Sequence, residues 1–192
     1  MTIRRLMILL SALLVLLSVS SCVGPVQHKA GTPAPENEEI KLPEDFSFSI
    51  VWKTYGISSY DSASGKLVKT KDTEHIGKYT KYVKMSEEEL KTVYRYLFHD
   101  INLTAYPDEF DPFNAPGAET IYTSEPNQTV IISATANGVT KTVTCEKIAY
   151  GTLNGCYSEE ARQFMLAKEK IVSLITSFPE WEAFPDYEHY YD

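Results

Sequence analysis

The chain has 192 residues, a formal charge of −8 and an aromatic content of 12%. The carboxylate excess excludes a nucleic-acid binder, whose affinity rests on neutralising phosphates, and disfavours adsorption on anionic lipid headgroups. The length suits one domain with a real core rather than several small ones.

At the start of the chain, Arg4 and Arg5 precede an apolar run from Leu6 to Val19, and Ser20 and Ser21 lead into Cys22. The run is 14 residues long, short of the ~20 that a membrane-spanning helix needs. A charged start, an apolar middle and small residues at the end describe an export signal, and no Ala-x-Ala-like cleavage site is present. The tetrapeptide Val19-Ser20-Ser21-Cys22 resembles the lipobox of bacterial lipoproteins. The resemblance implies cleavage before Cys22 and attachment of a diacylglyceryl group to its thiol. It places the chain on the extracytoplasmic side of the cell membrane or outer membrane. Two acyl chains give the double signal that stable anchoring requires. As a whole, the rest of the chain is similar to the small bacterial envelope lipoproteins that have no assigned activity.

Removal of residues 1–21 takes Arg4 and Arg5 with it and moves the formal charge from −8 to −10. Residues 22–43, with four prolines and no apolar periodicity, read as a flexible tether carrying a net −1. Residues 44–192 then form a single domain of about −9. Charge of that sign supports solubility and is compatible with a cationic partner.

Within the domain, Phe46, Phe48, Ile50 and Trp52 alternate with smaller or polar residues, as in a half-buried strand that continues through Ile57 to Tyr60. Asp61 to Gly65 reads as a turn, Lys66 to Thr70 as the returning strand, and Tyr79 to Met85 as a third strand. Ser86-Glu87-Glu88-Glu89 is a capping box. The helix behind it carries Leu90, Val93, Tyr94, Leu97 and Ile101 on one face. Residues 102–117 are irregular, broken by Pro107, Pro112 and Pro116. Asn137-Gly138 between β-branched runs predicts a hairpin of Thr129–Thr135 with Val139–Cys145. Ser158 caps a second helix whose buried face is Phe164, Ile171, Leu174, Ile175 and Phe178, and Pro179 helps to end it. Trp181 and Phe184 are expected to pack back on the body. The order β-β-β-α-β-β-α predicts an α+β fold: a two-layer sandwich with an antiparallel sheet of about five strands and two helices on one face.

Once Cys22 is lipidated, Cys145 and Cys156 remain, 11 positions apart in a compartment where disulfides persist. A disulfide between them is expected. A thiol nucleophile or a metal pair is the alternative, but neither cysteine has a histidine near it in sequence. His75, His99 and His189 read as structural or solvent-facing, and no nucleophile-elbow motif is present. Asp108, Glu109 and Asp111, with Asp100 or Asn114, are a weak calcium candidate that lacks EF-hand spacing. No catalytic, cofactor-binding or metal residue is therefore assigned. The candidate interaction surface is Phe110 and Phe113 in the proline-rich loop together with Tyr187, Tyr190 and Tyr191 in the tail.

These features predict a non-enzymatic, lipid-anchored binding or structural module of the cell envelope. Its partners would be the membrane, through Cys22, and an envelope protein. The alternatives are an envelope hydrolase using scattered Asp, Glu and His residues, or an inhibitor or immunity-type protein directed at a basic enzyme.

Overall fold

The computed structural model describes residues 40–52, 58–69 and 79–185. Cys22, His75, His189, Tyr187, Tyr190 and Tyr191 lie outside the described residues. Six strands form one antiparallel sheet: β1 (Ser47–Trp52), β2 (Ser58–Asp61), β3 (Lys66–Val68), β4 (Thr80–Tyr82), β5 (Gln128–Ala136) and β6 (Val139–Ile148), in the order β4-β3-β2-β1-β5-β6. With the helices α1 (Glu87–Tyr94), α2 (Glu159–Thr176) and α3 (Pro179–Glu182), the sheet makes the expected α+β sandwich. No described helix is long and apolar enough to cross a membrane.

The sheet has six strands rather than about five because residues 46–60 make two strands. β1 and β2 are antiparallel neighbours, with Trp52 opposite Ser58 and Ser49 opposite Asp61. Ile50 and Tyr60 are paired across the two strands and both are buried, so an apolar pattern read along the chain does not separate β1 from β2. Phe48, Ile50 and Trp52 in β1 are buried and their neighbours half-buried, and β5 repeats the pattern from Gln128 to Ala136. The other face carries Ser47, Ser49, Ser133, Thr135, Thr140 and Thr142, with hydroxyl pairs Ser133–Thr142 at 2.9 Å and Thr135–Thr140 at 2.8 Å. One apolar and one polar face is what a sheet with a single covering layer requires.

Helix α1 starts as the sequence specifies. The Ser86 hydroxyl accepts from the Glu89 amide at 3.3 Å, and the Glu89 carboxylate accepts from the Ser86 amide at 2.7 Å. Its last turns widen into a π-helix over Arg95–Asp100, and Val93, Leu97 and Ile101 are buried along it. Ser158 caps α2, its hydroxyl accepting from the Ala161 amide at 3.1 Å, and Phe164, Ile171 and Ile175 are fully buried. Each such side chain contributes roughly 1.5–3 kcal/mol. Pro179 does more than end α2: it opens α3 at the first helical position, where its missing amide costs nothing. The short helix brings Trp181 to 5.6 Å from the Trp52 ring and Phe184 into the core.

The Asn137-Gly138 turn has φ of +53° and +76°, the left-handed pair that lets β5 and β6 follow the sheet twist. β6 runs three residues beyond the expected Cys145. It does so through a bulge at which Gln128 faces Ile148 while Val130 faces Cys145, with Lys147 at φ +54°. A bulge bends its strand and turns the chain beyond it in a new direction. Ala149, Tyr150 and Gly151 are the residues redirected in this way.

Candidate functional site

The irregular segment after α1 is not a loose surface loop. A 3₁₀ turn at Leu103–Ala105 buries Leu103, and Tyr106 lays its ring 5.3 Å from Phe164 while its hydroxyl donates to the Glu160 carbonyl at 2.8 Å. Residues 108–110 pair in parallel with the outer edge of β6: the Phe110 amide donates to the Thr144 carbonyl and the Thr144 amide to the Asp108 carbonyl. Phe110 is half-buried between Tyr106, Tyr157 and Phe164. Phe113 is only 6% exposed. These two aromatics, expected on an interaction surface, instead fasten the loop to the core, because prolines stop helix and strand without stopping burial.

Asp111 then organises a tight turn. Its carboxylate accepts from the Phe113 amide at 2.8 Å, the Asn114 amide at 3.2 Å and the Asn114 side chain at 2.8 Å. The Asn114 amide group in turn brackets Tyr122, donating to its carbonyl at 2.9 Å and accepting from its N–H at 2.6 Å. The Tyr122 hydroxyl donates to the Tyr150 carbonyl at 3.1 Å. Tyr150 is fixed from the other side by its amide, which donates to Ser124 Oγ at 2.7 Å. Beneath it, Gln128 Nε2 donates to the Ala149 carbonyl at 3.1 Å.

Two concavities of about 560 Å³ each flank this turn. The first is lined by Asp108, Glu109, Phe110, Asp111, Thr144 and Glu146. It gathers Asp108, Glu109 and Asp111 of the calcium candidate without Asp100, and Asp108 pairs with Lys141 while Asp111 is occupied by its own turn. Among the described residues no three His, Cys, Asp or Glu side chains converge to hold a metal ion. Asn114 faces Tyr122 rather than this hollow, and His99 packs edge-on to Tyr94 at 5.4 Å.

The second concavity is lined by Tyr122, Tyr150, Gly151, Thr152 and Gly155. Tyr122 is 52% exposed despite its three hydrogen bonds and its contact with the Phe113 ring at 6.2 Å, and Tyr150 is 39% exposed. Gly151 lies directly on Phe113: a β-carbon there would come within 2.5 Å of the ring. This is an open cleft lined by two tyrosines, the Thr152 side chain and the main chain at Gly151 and Gly155. Sequence reasoning missed it because its two tyrosines sit 28 positions apart, outside any periodic segment.

The expected Cys145–Cys156 disulfide is not formed; both thiols are free. Cys145 points from β6 into the core, where burial pushes its thiol up to about 12, helped by the negative charge of Asp111. Cys156 follows the 3₁₀ turn Leu153–Gly155, half-buried between the charges of Glu169 and Arg162, and its thiol is raised by burial as well. The two sulfurs thus sit in different surroundings, one inside the sheet layer and one at its margin. Burial moves both thiols away from the lowered pKa that activates a cysteine nucleophile. No protein-family model, curated protein or solved structure matches this chain.

Proposed function

We propose that this protein is a lipid-anchored, extracytoplasmic binding module that presents the Tyr122–Tyr150 cleft away from its membrane. The reading of the anchor rests on the lipobox-like Val19-Ser20-Ser21-Cys22 segment. The observation that carries the binding role is the placement of the cleft relative to where the tether enters. Asp45, at the domain's entry, holds the Asn137-Gly138 turn at one end of the β5–β6 hairpin. Tyr122 and Tyr150 flank the opposite end, beyond Gln128 and Ile148. β5 has nine residues, which at ~3.4 Å each separates the two ends by roughly 30 Å. A body tied down at one pole and carrying rigid exposed aromatics at the other suits capture of something beyond the membrane surface.

The test has two parts. Mass spectrometry of Cys22 in material from the native envelope should find the sulfur diacylglyceryl-modified and residues 1–21 gone, and C22A should leave the membrane fraction. Crosslinking of the full protein in its envelope through a photoreactive residue at Thr152 should capture a ligand or partner, whereas the same residue at Asp45 should not. A bare Cys22 with the leader attached overturns the anchor, and equal capture from both poles overturns the orientation.

A further inference from the structure

We infer that the Tyr122–Tyr150 cleft takes a neutral oligosaccharide; this rests on reading the cleft as the binding pole of the module. The tyrosines are the first ground. An exposed ring normally samples several rotamers, and binding must freeze them. Tyr122 is already held at its amide, its carbonyl and its hydroxyl, so its face is presented at no further entropic cost. Half of the residue nevertheless remains in water, so the fixed ring stays accessible.

The lining selects the ligand. Aromatic faces carry a negative quadrupole that attracts the slightly positive C–H groups on the apolar side of a pyranose ring. The edge of the same sugar carries hydroxyls, and the cleft meets those with the Thr152 hydroxyl and the backbone at Gly151 and Gly155. The β-carbon positions of Gly151 and Gly155 face the Phe113 ring rather than the cleft, so it is the main chain of these two residues that lines the cleft and offers its peptide groups to a sugar hydroxyl. A volume of about 560 Å³ that is open to solvent suits part of a longer chain.

Other ligand classes fit less well. An anionic ligand meets a chain of charge −8 and the neighbouring hollow with Glu109 and Glu146. A cation finds no carboxylate among the described residues of the lining. A purely apolar ligand would leave the Thr152 hydroxyl and the floor's peptide groups desolvated without partners.

The experiment is a saturation-transfer NMR titration of the full-length protein in detergent micelles with cellotetraose and with chitotetraose, the fold checked by circular dichroism. At least one sugar should receive saturation on its ring C–H protons, and Y122A should weaken its binding about tenfold or more. Y122F, which keeps the ring but loses the bond to the Tyr150 carbonyl, should fall between Y122A and wild type. Y82A, at an exposed tyrosine on β4, should bind as wild type. The inference is overturned if neither sugar binds at millimolar concentration, or if folded Y122A binds as well as wild type. A peptide that perturbs Tyr122 while both sugars do not would overturn the sugar and keep the cleft. Because the state of Cys22 is read separately by mass spectrometry, loss of the anchor and loss of sugar binding remain distinguishable.

Discussion

The Asp45 carboxylate accepts the backbone amides of both Asn137 and Gly138, at 2.8 and 2.6 Å, closing the β5–β6 turn from 92 positions away. Those two amides hold its pKa below the usual 3.8. D45A should lower the thermal midpoint by a few degrees and speed hydrogen exchange at Asn137 and Gly138. The carboxylate's contribution is complete above about pH 3.8 and fades as the folded group is protonated at lower pH. The gap between D45A and wild type should therefore close in acid. A gap that persists there would mean that packing, not the carboxylate, is responsible.

The first turn of α2 gives a second acid-sensitive group. Glu159 accepts from Arg162 at 2.7 and 2.6 Å and from Gln163 at 2.6 Å, which brings its carboxyl from 4.5 down to about 2. Its stabilisation is present above pH 4.5 and lost as the pH falls toward about 2. E159Q should melt below wild type at neutral pH and together with it at the acid end. Because the pair is exposed, added salt should shrink the difference.

The two thiols should differ in reactivity. With Cys145 fully buried and its thiol pushed to about 12, a maleimide at mildly alkaline pH should label Cys156 first. Cys145 should be labelled only in denaturant. Peptide mapping reads both sites, and a cross-linked Cys145–Cys156 peptide in native material would contradict free thiols.

Gly151 and Gly155 offer a paired test of the cleft floor. The β-carbon of G151A would lie 2.5 Å from a Phe113 ring that has no room to retreat. Overpacking of that kind costs about 1–3 kcal/mol. At Gly155 the nearest atom to an added β-carbon is 3.9 Å away, so G155A should stay within about 0.5 kcal/mol of wild type. Urea denaturation distinguishes the two. Equal losses would mean that the floor does not rest on Phe113.

The features legible in the sequence are those whose physics is local. Ser86 with Glu89, and Asn137 with Gly138, each satisfy nearby backbone groups, so a few residues suffice to identify them. The division into β1 and β2 is hard to read from the chain because Ile50 and Tyr60, paired across the two strands, are both buried and fit one apolar pattern. The bulge at Lys147 was equally silent: lysine has no preference for φ of +54°, and the position is imposed by the pairing of Gln128 with Ile148. The cleft depends on that bulge and on Asn114 reaching Tyr122, both of which exist only once the sheet has formed. The proline-rich segment has no period that would mark burial, yet Leu103 and Phe113 are among the buried residues.

The parallel clasp of residues 108–110 on Thr144, reinforced by Lys141 on Asp108, has an effect outside the molecule. A sheet rim with vacant amides and carbonyls is a template for another chain's strand. Here the longer rim is interrupted at Thr144, and the opposite one is only the three residues of β4, with Lys81 at its centre. Copies crowded side by side meet no continuous ladder along the described part of either rim.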